Sequence, residues 1–71
     1  MQFNIGIYDK LNEKVEGDIL EVSDRNDLFS QASQRINVDL AELLENTFFK
    51  WNTFVYENEK LKIFMSHHPI P

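Results

Sequence analysis

The chain opens on alternation. Phe3, Ile5 and Ile7 are apolar, with Asn4, Gly6 and Tyr8 between them, and a period of two predicts a half-buried strand. Gly6 in its middle predicts a bulge or a close backbone approach. The polar run Asp9 to Lys14 reads as a turn. Val15 to Val22 then reads as a returning strand, with Leu20 and Val22 on one face and Gly17 weakening it.

The period changes after Ser23-Asp24. Leu28, Phe29, Ala32 and Ile36 describe one face of a helix. Ser23 or Asp24 is placed to cap its first turn, and Asp24 and Asp27 sit at the positive end of the helix dipole. Asn37 suits the left-handed residue that ends such a helix. A second start follows at once: Asp39 as cap, Glu42 reaching back to it, and a staple from Val38 to Leu43. Leu40, Leu43, Leu44, Thr47 and Phe48 form the predicted buried stripe, with Asp39, Glu42, Glu45 and Asn46 facing water.

Five of the nine aromatic residues lie between Phe48 and Tyr56. The β-favouring content of 49–56 predicts a strand beginning at Phe49 or Lys50. Glu57-Asn58-Glu59-Lys60 reads as a hairpin turn in which Asn58 takes positive φ. With Asn58-Glu59 as the loop, Tyr56 opposes Leu61, Phe54 opposes Ile63 and Asn52 opposes Met65. Trp51, Val55 and Phe64 then lie on the other face, with Thr53 and Lys62. The prolines predict that pairing ends by Ser66, leaving 66–71 as an extended tail.

The expected fold is α+β: a small antiparallel sheet of three to four strands with two helices packed on one face, in the order β-β-α-α-β-β. The terminal strands are expected to leave an open edge. Seventy-one residues allow one domain, residues 1–71, whose core leaves a margin of roughly 3–5 kcal/mol.

There is no cysteine, so neither a disulfide nor a Cys-based zinc site adds to that margin. No apolar run approaches the ~18 residues of a membrane span. Nothing in Met1-Gln2-Phe3-Asn4 resembles a secretion signal, so no membrane role and a cytoplasmic location are expected.

Charge narrows the function classes. The net charge is −5, and seven acids against three bases lie between Asp9 and Asp27. No basic stripe of the kind that marks nucleic-acid binders is present. His67 and His68 are adjacent, and neighbouring strand residues point to opposite faces, which does not suit a shared metal ion. Asp24-Arg25-Asn26-Asp27 lacks the glycine and distal glutamate of a calcium loop. Without cysteine, and with both histidines in the tail, no nucleophile has an oriented base. Gly6 and Gly17 alone make no phosphate loop. No enzyme activity and no cofactor are expected.

Strand, helix, turn and helix over Ile19 to Phe48 is similar to the layout of ribbon-helix-helix DNA-binding proteins. The resemblance rests on spacing and implies a DNA-binding regulator. Acids in the ribbon and at Asp39 and Glu42 depart from it, because they repel phosphate.

Two other readings remain. One is a non-catalytic, small acidic protein–protein interaction module, which contacts another protein or a second copy of itself through Trp51, Val55, Phe64 and Lys62. Aromatic anchors amid polar neighbours have the composition of an interface. The other is an acidic mimic of nucleic acid that inhibits a nucleic-acid-binding enzyme through Glu13, Glu16, Asp18, Glu21 and Asp24.

Overall fold

Two helices and a five-stranded antiparallel sheet make up an α+β fold. It is seen in a computed structural model that describes residues 1–67. Strands β1 (Gln2–Asp9) and β2 (Lys14–Glu21) precede helices α1 (Arg25–Ile36) and α2 (Leu40–Asn46). Strands β3 (Phe48–Lys50), β4 (Thr53–Glu57) and β5 (Leu61–His67) follow. The observed order is therefore β-β-α-α-β-β-β, one strand more than the expected three to four with β-β-α-α-β-β.

Spatially the sheet runs β2-β1-β5-β4-β3. The C-terminal strand thus lies between β1 and β4, and the edges are β2 and β3 rather than the terminal strands. β1 and β2 pair without interruption from Gln2↔Glu21 to Asp9↔Lys14. Gly6 makes no bulge; it stands directly opposite Gly17. The strand of the ribbon-like layout is thereby zipped along β1 inside the same chain.

Alternation decides which side is buried. Phe3, Ile5, Leu20, Tyr56, Ile63 and Met65 point to one side and join Leu28, Phe29, Ala32 and Leu43 of the helices in a single core cluster. Each Leu, Ile, Phe or Met side chain among them contributes roughly 1.5–3 kcal/mol on burial. The same side carries an aromatic chain. Phe54 meets Phe29 edge-on at 5.3 Å and Phe49 at 4.8 Å, with the Arg25 guanidinium 5.4 Å from the Phe54 ring.

Helix α1 begins as expected and in more detail. Asp24 is the cap and accepts from the Asp27 amide at 2.8 Å, while the Asp27 carboxylate accepts from the Ser23 amide at 2.9 Å. Asn37 ends the helix with φ 57 and ψ 44. Helix α2 departs from expectation. Asp39 occupies the cap position but its side chain bonds no amide there. Of the predicted stripe only Leu43 is buried, whereas Leu40, Leu44 and Phe48 are exposed. The helix stops because Thr47 turns into extended backbone and returns both its amide and its hydroxyl to the Leu43 carbonyl. A short helix buries a narrow stripe.

The β4–β5 register is shifted by two residues from the expected one. Tyr56 faces Ile63, Phe54 faces Met65 and Glu57 faces Lys62. A shift of two preserves the faces. Asn58 does not take positive φ; its side-chain oxygen instead accepts from the Lys60 and Leu61 amides at 2.7 and 2.9 Å, closing the turn one residue later. His67, assigned to the tail, ends β5 and lies edge-on to Phe3 at 5.4 Å. Residues 68–71 of the proposed tail, and with them the His67-His68 pair, lie outside the described residues. Among the described residues no helix is long and apolar enough to cross a membrane.

Candidate interaction surface

The fifth strand comes from a turn inside the aromatic block. Lys50 pairs with Thr53, and between them Trp51 and Asn52 have φ of 55° and 60°. Consecutive positive φ values in a two-residue loop are the pattern of a type I′ hairpin, whose twist matches that of the strands. Asn tolerates this region, but a bulky residue there is a backbone outlier. Trp51 is nevertheless held there, 86% exposed. The expected continuous strand over 49–56 is corrected in this way: Trp51 is a hairpin tip, not a strand residue.

Cross-strand pairing builds the helix-free face. One row across all five strands runs Gly17, Gly6, Phe64, Val55, Phe48. The two glycines present no side chain, so the Phe64 ring has room beside them: a Cβ added to Gly6 would stand 4.0 Å from Phe64 Cδ2. Phe48 and Phe64 flank Val55 on either side and cover it. Val55 is therefore outward-facing as expected but only 7% exposed, the floor of a site rather than its surface. Phe64 at 41% and Phe48 at 51% stand proud of it.

Next to this row, Lys62 projects from β5 with its ammonium 5.2 Å from the Phe64 ring centre. Lys50 shares the face, since it pairs with Thr53, which pairs with Ser66. Together these residues line a shallow concavity of about 340 Å³. Trp51, Val55, Phe64 and Lys62, named from the sequence, are thus brought together. Phe48 and Lys50 were missed. Phe48 fitted the helical stripe, and only a helix end at Asn46 turns it outward.

The acidic residues named from the sequence are not gathered into one line. Alternation along β2 puts Glu16 and Asp18 on the side of Ile7 and Ile5, their partners, and Glu21 on the other side. Asp18 meets Arg35 of α1 at 3.0 Å. Glu21 meets the Met1 amino group at 3.0 Å, and Asp24 is spent on the α1 cap. Glu13 sits in the β1–β2 turn with φ 54.

On the helix-free face, Glu57 is held by Lys10, whose ammonium also donates to the Asn58 carbonyl at 2.8 Å. The Lys10 hydrogen bond keeps the Glu57 carboxyl below its ordinary range. No group of three or more His, Cys, Asp or Glu residues capable of holding a metal occurs among the described residues. The chain matches no protein-family model, no curated protein and no solved structure.

Proposed function

We propose that this chain is a non-catalytic protein–protein interaction module that binds another protein through the helix-free face of its sheet. The contact residues are Trp51, Phe64 and Lys62, with Phe48 beside them and Val55 beneath. One observation carries the reading: the single tryptophan is almost fully exposed in left-handed backbone, beside two more half-exposed aromatic rings. Tryptophan is among the residue types enriched at positions that dominate binding energy. Strained backbone persists where the surrounding structure enforces it, and such sites cluster at binding positions. Helices α1 and α2 pack on the other side of the sheet, so among the described residues no helix covers this face.

The test is partner capture with the wild-type chain and with Trp51→Ala plus Phe64→Ala, with oligomeric state followed by sedimentation. The expected outcome is loss of a specific partner in the double variant while its circular dichroism stays native. Unchanged partners and unchanged oligomeric state would sink the proposal. The acidic-mimic reading gains no support of this kind, because Asp18, Glu21 and Asp24 are each engaged within the fold.

A further inference from the structure

The charge around the concavity says what kind of partner fits it, an inference that rests on the interaction reading above. The chain carries twelve acids and seven bases. Against that excess, the concavity has Val55 as floor, Phe48, Trp51 and Phe64 as walls, Lys50 and Lys62 as cations, and, among the described residues, no acid in its lining. Glu57, opposite Lys62 on the same face, lies outside that lining and is hydrogen-bonded and ion-paired to Lys10. The Lys62 ammonium lies over the Phe64 ring, which holds a positive charge at the border of the apolar floor. Acids engaged elsewhere occupy the helix side or the β2 edge: Asp18 on Arg35, Asp24 and Asp27 at the start of α1.

From this arrangement we infer that the concavity binds an acidic peptide segment of a partner protein, with an apolar side chain seated on Val55 between the rings and flanking carboxylates on Lys50 and Lys62. Complementary charge at a rim sets partner choice and encounter rate, while the apolar centre supplies most of the affinity. Aromatic rings with lysines also suit a single strand of nucleic acid. Two cations on a chain of net charge −5 do not make the continuous positive groove that tracks a phosphate backbone. A carboxylate-bearing peptide asks for no more than the two cations present.

Trp51 is the chain's own reporter, since it is the only tryptophan. Its emission is followed while four tryptophan-free probes are added separately. These are a peptide with a central leucine flanked by glutamates, the same peptide with glutamines, the same with lysines, and a single-stranded oligonucleotide. The glutamate peptide is expected to shift the emission to the blue and to bind at least several-fold more tightly than the glutamine peptide at low salt. That preference is expected to shrink at high salt.

Lys50→Gln and Lys62→Gln are each expected to weaken the glutamate peptide by roughly two- to fivefold and the glutamine peptide by less, so that the preference for glutamate shrinks in each variant. Equal binding of all peptides, preference for the lysine peptide or the oligonucleotide, or no response to any probe overturns the acidic-segment inference. The interaction reading is judged separately, by whether Trp51→Ala plus Phe64→Ala loses its captured partner.

Discussion

Trp51 and Asn37 show how far single residues can be read. Both have left-handed backbone, with φ of 55° and 57°. At Asn37 the residue type announces the conformation, because a short amide side chain tolerates it. At Trp51 the residue type argues against it, and only the pairing of Lys50 with Thr53 enforces it. Holding a bulky residue there costs on the order of 1 kcal/mol or more, and the ring, 86% exposed, recovers little of that by burial. Trp51→Asn should therefore stabilise the fold, by about 1 kcal/mol. That corresponds to a rise of roughly 4–8 °C in Tm for a domain of this size. Binding should fall at the same time. Thermal unfolding beside a binding titration checks both signs, and a fall in Tm would mean that the ring packs more than its exposure indicates.

At the level of elements, the sequence patterns marked both ends of α1 but not the end of α2. The α1 start was legible because Asp24 and Asp27 are the residue types that satisfy free amides, and they do so reciprocally. The hydrogen bond from the Ser23 amide holds the Asp27 carboxyl below its ordinary range. A depressed folded-state value means that the contribution is fully present above the unfolded carboxylate range, near pH 4. It is lost as pH falls below that range. Asp27→Asn should thus lower Tm at pH 7, and the gap to wild type should close as both are titrated to strongly acidic pH.

The α2 end was hidden because Thr47 and Phe48 continue the helical spacing, while three paired residues of β3 are too few to show alternation. The packing difference along α2 is testable by urea unfolding. Leu43 is 0% exposed, and Leu43→Ala should cost about 2–5 kcal/mol. Leu44, one position on and half-exposed, should cost about 0.5 kcal/mol or less on truncation to Ala.

Considered whole, the molecule buries one face of its sheet under the helices and leaves open the other, the face proposed to bind a partner. That division follows from strand alternation, which is why the apolar side was legible. The strand order was not, since nothing local states that β5 inserts beside β1. Once it does, β5 presents adjacent residues to opposite faces: Ile63 points under the helices and Phe64 points to the open face. Ile63→Ala removes buried apolar volume and should cost about 2–5 kcal/mol, most or all of the roughly 3–5 kcal/mol such a small domain has. Phe64→Thr keeps a β-favouring residue and removes a ring that is already 41% exposed but covers Val55, so its cost should be about 1–2 kcal/mol.

Binding should follow the opposite order. At a temperature where both variants are folded, Ile63→Ala should keep wild-type affinity per folded molecule and Phe64→Thr should lose it. Measuring urea midpoints and partner affinity on the same two samples separates the faces. If Phe64→Thr binds as wild type, or if Ile63→Ala loses affinity while fully folded, the open face is not the binding face and the assignment of roles to the two sides of β5 is wrong.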